Sequence, residues 1–137
     1  MNRADLQRLS KIRMEEAGFL LSHGRWSGAY YLAGYSAECA LKACIAKATA
    51  EFDFPDKDRV NASFSHDLIK LLATANLSSE LDTHARANLD FDSNWKIAQA
   101  WSEKARYRLT TEAQAKALID ALANAENGIL PWLELHW

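Results

Sequence analysis

The stretch Ser27-Gly28-Ala29-Tyr30-Tyr31-Leu32-Ala33-Gly34-Tyr35-Ser36-Ala37-Glu38-Cys39-Ala40-Leu41-Lys42-Ala43-Cys44-Ile45-Ala46-Lys47-Ala48-Thr49 decides the fold. Between Gly28 and Ala48, tyrosine hydroxyls aside, only Ser36, Glu38, Lys42 and Lys47 are not apolar. A helix that is apolar nearly all round is buried on most of its surface. Its alanines and Gly34 let neighbouring helices approach closely. This is a central helix, with Ser27 as its expected N-cap.

The flanking sequence supplies the helices that bury it. Residues 4–22 carry Leu6, Leu9, Ile12 or Arg13, Ala17 and Leu20 at three-to-four spacing, and Arg8, Lys11, Glu15 and Glu16 give the wet side. His23-Gly24 ends that helix, with glycine placed for a left-handed cap. Residues 50–65, with Glu51, Pro55 and Asn61, read as a loop. Ser65 then caps a short helix from His66 to about Ala75, and Asp67 is favourable in its first turn. Ser78 or Ser79 opens the next, through Leu81, Ala85 and Leu89. Asp90 to Asn94 reads as a turn, followed by a turn or two of helix with Trp95, Ala98 and Trp101. Thr111 and Gln114 form a capping box for the last helix, whose stripe is Ala117 or Leu118, Leu122, Ala125, Ile129 and Trp132. Pro131 should kink or end it. No alternating β-branched run is present. The expected fold is all-α: one domain, residues 1–137, an up-and-down antiparallel bundle of four to five helices.

Bulk composition narrows the function. A net charge of −2 argues against a surface devoted to duplex nucleic acid, although a local basic cleft remains compatible with it. Five tryptophans imply large aromatic anchors in the core or an interface. Cys39 and Cys44 diverge by about 140° around one helix, so they read as separate buried thiols. That fits a reducing cytosol and a cytoplasmic location. The charged N-terminus, with Arg3, Asp5, Arg8 and Lys11, does not read as a secretory signal. Glu38 and Lys42 interrupt the one long apolar window, so no membrane span is expected.

Three groups of residues could carry function. Glu38 and Lys42 share a helix face four residues apart, acid N-terminal to base, and Tyr31 and Tyr35 extend that stripe. On a buried helix such a pair is either a satisfied polar network or the lining of a cleft or dimer seam. His66, beside Asp67, sits near a helix start, where it either helps the cap or favours an anion. Trp101 is followed by Arg106-Tyr107-Arg108, where arginine beside aromatics can stack or bind phosphate. His23, His66, His84 and His136 are scattered without ligand spacing, so no metal is expected, and no cofactor motif is present. His84 and Arg86 read as surface residues.

Tyr30 to Ala43, with its Ala37-Glu38-Cys39-Ala40-Leu41-Lys42-Ala43 run, resembles the signature second helix of HEPN domains. Ser65-His66-Asp67-Leu68 with Leu71-Leu72 resembles the HDL…LL segment of that family, and Trp101 with Arg106-Tyr107 resembles its W…RY segment. The ordered set covers nearly the whole chain. The resemblance implies a prokaryotic helical bundle, often a homodimer, that binds nucleotides. It further implies a small nucleotidyltransferase protein as partner, in a toxin–antitoxin pair. Other HEPN members are metal-independent ribonucleases using an Arg-x4–6-His motif assembled across a dimer.

This sequence departs from that catalytic pattern. Neither Arg106 nor Arg108 has a histidine at the required distance downstream. Arg59 and His66 have the longest allowed spacing, but they use the central loop and the HDL histidine, and Val60 stands where the ribonucleases carry a polar residue. The leading expectation is therefore a non-catalytic module binding nucleotide or RNA through Glu38, Lys42, His66, Asp67, Arg106 and Tyr107. A ribonuclease using Arg59 and His66 is the enzyme alternative. A structural module with the Tyr31–Tyr35 stripe as a dimer seam is the third reading.

Overall fold

The computed structural model describes residues 1–49, 53, 54 and 56–137. The expected loop residues Glu51 and Pro55 lie outside them. Among the described residues the chain is all-α, without strands. The helices are α1 (Arg3–Ser22), α2 (Trp26–Ala48), α3 (Lys57–Ser63), α4 (Leu68–Thr74), α5 (Ser78–Ala87), α6 (Leu89–Gln99), α7 (Glu112–Ala123) and α8 (Ile129–Glu134), with a 3₁₀ segment at Glu103–Tyr107. No helix is long and apolar enough to cross a membrane.

The central helix is α2. It packs against α1, α4, the 3₁₀ segment, α7 and α8. Ala29, Ala33, Ala37, Ala40, Leu41 and Ala43 are wholly buried along it. Ser27 lies inside the helix rather than capping it; Arg25 holds the N-cap position and makes no side-chain cap bond. The Ser27 hydroxyl instead accepts a hydrogen bond from the Thr110 amide at 2.9 Å.

The α1–α2 pair is an antiparallel hairpin. Its turn is a left-handed glycine cap: Gly24 has φ of 72°, Arg25 N–H donates to Leu20 O at 2.9 Å, and Gly24 N–H donates to Leu21 O at 3.3 Å. Deep in the hairpin, Ser10 and Ser36 each donate to the other's backbone carbonyl, at 2.8 and 2.7 Å. Both serines are buried, so this reciprocal pair satisfies hydroxyls that would otherwise oppose burial. It also fixes the register, setting position 10 opposite position 36.

Trp101 closes the other side of α2. A Cβ placed on Gly34 would lie 2.0 Å from the Trp101 indole, so only glycine admits that ring. The indole is 2% exposed.

The structure corrects several expectations. It has more helices than four or five, although five of them reach ten residues or more. Lys57–Ser63 is helical within the expected loop, with Asp56 as N-cap. Helix α4 starts at Leu68, with Asp67 and not Ser65 as its cap; Ser65 Oγ accepts from the Asp67 amide. Asp90 to Asn94 is helix interior, not a turn, because Asn88 caps α6 and Asp90 and Asp92 sit in its favourable first turn. The final helix is two helices. α7 begins at the predicted Thr111–Gln114 capping box and ends at Ala123; Ala125 is exposed in the connection. Gly128 lies so close to the Asn124 carbonyl that an added Cβ would be 2.3 Å from it, which keeps that connection tight. Pro131 is the third residue of α8, where its missing N–H removes no intrahelical bond, so it neither kinks nor ends the helix. His84 is half-buried, its ring edge-on to Phe91 at 4.4 Å between centroids.

Candidate functional site

Glu38 and Lys42 lie one turn apart on α2. Lys42 Nζ donates to Glu38 Oε1 at 2.8 Å. The Glu38 residue is 3% exposed, an expensive place for a carboxylate unless it is charge-paired and hydrogen-bonded. The third member comes from across the bundle. His66, in the link between α3 and α4, puts Nδ1 3.0 Å from both Oε1 and Oε2 of Glu38. An ionised carboxylate only accepts, so Nδ1 carries the proton and donates it. Neutral His66 is thereby held with Nε2 as an acceptor, and protonated His66 would present Nε2–H as a donor. The His66 side chain is 43% exposed and that of Lys42 22%, so the buried acid carries two partly solvated basic groups.

Aromatic rings wall this group. Tyr35 lies edge-on to His66 at 6.1 Å, to Tyr31 at 5.0 Å and to Trp101 at 5.2 Å between centroids. Burial, the neighbouring Tyr31 and the Glu38 charge all hold the Tyr35 hydroxyl above the ordinary tyrosine range, so it stays protonated at neutral pH. Arg106 lies against Tyr107, its guanidinium carbon 4.9 Å from the ring centroid, and close enough to Tyr31 for that phenol to act on its charge. The W…RY segment thus approaches the α2 stripe through Arg106 and Trp101. Tyr107 itself is 79% exposed.

Beside these residues a groove of about 420 Å³ runs along the α1–α2 hairpin, lined by Leu9, Arg13, Tyr31, Tyr35, Glu38 and Lys42 among others. Arg13 was not singled out in the sequence as a site residue. The α1–α2 hairpin brings it to that groove, where its charge acts on Cys39. Arg13 also bonds Glu16 at 2.7 Å.

Two expected site residues stand apart. The Asp67 carboxylate accepts from the amides of Ile69 and Lys70 at 2.9 and 3.2 Å, so it caps α4 and orients the chain that carries His66. Arg59 lines a different groove, with Thr49, Asp53, Asp56 and Ser63, and His66 is not among its lining residues. Among the described residues no cluster of histidine, cysteine, aspartate or glutamate could hold a metal ion.

The arrangement offers cations (Lys42, Arg13, Arg106) and aromatic faces around a buried acid. Cations suit phosphate, and rings suit a base. The His66 Nε2 adds one proton donor or acceptor at its solvent side. No family model, curated protein or solved structure matches this chain.

Proposed function

We propose that the chain is a non-catalytic HEPN-type module that binds a nucleotide or an RNA segment on the Glu38–Lys42–His66 face. The observation that carries this reading is the buried Glu38 carboxylate, bonded at once to Lys42 and His66 and flanked by Tyr31, Tyr35 and Arg106. Glu38 holds the two basic groups in fixed positions, so little ordering cost remains for a ligand phosphate that meets them. Tyr31 and Tyr35 offer ring surface to a base. A small nucleotidyltransferase is the protein partner that the HEPN likeness favours, in a toxin–antitoxin pair. In the structural alternative the Tyr31–Tyr35 groove is instead the seam of a homodimer.

Calorimetric titration of ATP and of a short oligoribonucleotide into the wild type, Lys42→Ala and Arg106→Ala tests the reading. Binding weakened about tenfold in each variant is expected for loss of one charge-assisted hydrogen bond. Absence of binding in all three proteins removes it.

The enzyme alternative draws support from the Glu38–His66 bond, because a carboxylate on Nδ1 poises Nε2 as acid or base. In this alternative Arg59, which lines a separate groove, would supply the positive charge. Cleavage of RNA in EDTA that is lost in His66→Ala would favour this alternative over the binding module.

A further inference from the structure

On the far side of the 3₁₀ segment a second, smaller cavity of about 130 Å³ lies between α2, that segment and the start of α7. Tyr30, Ser102, Arg108, Thr110 and Gln114 supply its polar lining, and no aspartate or glutamate lines it. It shares no residue with the Glu38–His66 face. Its size is well below the roughly 300 Å³ of the smallest drug-type pockets, so it suits a group of a few atoms.

Every polar side chain on this lining can donate. Arg108 is a permanent cation with five N–H groups. The Tyr30 hydroxyl keeps its proton: burial raises its pKa, and Arg108 opposes that only in part. Gln114 Oε1 is occupied by the Thr111 amide at 3.0 Å, which leaves its NH₂ group to donate. Ser102 and Thr110 add hydroxyls. The walls are also held in place. The Thr110 amide is tied to Ser27 Oγ, the Arg108 amide donates to Ala105 O at 3.0 Å, and the capping box fixes Gln114.

A cation among neutral donors, with no acid, selects an anion. The donors come from several directions: α2, the residues on either side of the 3₁₀ segment, and α7. A tetrahedral phosphate has acceptors in as many directions, while a carboxylate presents two in one plane. We propose that the Tyr30–Arg108–Thr110–Gln114 cavity is a binding site for a phosphate group, either free phosphate or the terminal phosphate of an RNA. The site stands independently of the Glu38–His66 reading.

The test uses the full-length, isotope-labelled chain, following the amides of Thr110 and Gln114 by NMR at constant ionic strength. The titrants are inorganic phosphate, acetate, and one oligoribonucleotide with and without a 5′-phosphate. Saturable shifts with phosphate but not acetate are expected. Arg108→Gln should weaken them about tenfold, and Tyr30→Phe, which keeps the ring packing, by a few-fold. A preference for the 5′-phosphorylated oligonucleotide over inorganic phosphate assigns the site to RNA ends; equal affinity assigns it to free phosphate. Shifts that do not saturate, that acetate reproduces, or that persist unchanged in both variants overturn the proposal.

Discussion

Glu38 and His66, 28 positions apart, form one unit in which the imidazole Nδ1 sits 3.0 Å from each carboxylate oxygen. The bond joins the central helix to the start of α4, and it sets which ring nitrogen of His66 is left to face a ligand. Glu38 is therefore both a buried charge that the fold must satisfy and the group that orients the one imidazole at the site.

Lys42 is the other half of that satisfaction. Lys42→Met keeps the aliphatic stem and removes the ammonium. It should destabilise the fold by about 1–3 kcal/mol, because a buried carboxylate then relies on His66 alone. Urea unfolding of the wild type, Lys42→Met and Lys42→Met/Glu38→Gln checks this. The double variant should regain part of the loss, since the amide is neutral.

Gly34 and Trp101 should be strongly coupled. Gly34→Ala drives a methyl group into the indole and should cost about 3 kcal/mol. In a Trp101→Leu background the same substitution should cost far less. Equal cost in both backgrounds, measured by a denaturant double-mutant cycle, would mean that the close approach does not exist in solution.

Asp67 separates capping from binding. Asp67→Ala should lower stability by about 1 kcal/mol through loss of the α4 cap. Its effect on nucleotide affinity should be small beside that of Lys42→Ala. A larger effect on affinity than Lys42→Ala would place the carboxylate at the ligand.

The thiols give a pH dependence. Burial pushes the Cys44 thiol up to about 11, and burial with the Glu38 charge raises that of Cys39. Both should react slowly with a disulfide reagent at pH 8 in the native protein and rapidly once it is unfolded. The sign for stability follows from the same shift. Between about pH 9 and 11 the unfolded chain gives up a thiol proton that the folded chain retains, so stability falls as pH rises through that window. Cys44→Ala should flatten the fall.

Much of this was legible in the residues. The all-round apolar character of 27–49 located the central helix, within a residue of α2 at each end. The four-residue spacing paired Glu38 with Lys42, and Thr111–Gln114 marked the start of α7. Other features depend on tertiary approach, which a linear pattern does not encode. α3 buries no residue, so it leaves no apolar stripe to read. Asp90 and Asp92 look like turn formers until Asn88 is recognised as a cap. His66 could be read as a helix-start residue, but nothing in its neighbourhood foretold the bond to Glu38. Arg13 joins the groove only because the hairpin lays α1 along α2.

The long-range ¹H–¹⁵N spectrum of the His66 ring, recorded while ATP is added to the wild-type protein, tests the central claim most directly. The account predicts a protonated Nδ1 in the free protein and a saturable shift of Nε2 on binding, both altered in Glu38→Gln. A His66 ring that stays unmoved while ATP binds, or no binding at all, would contradict it.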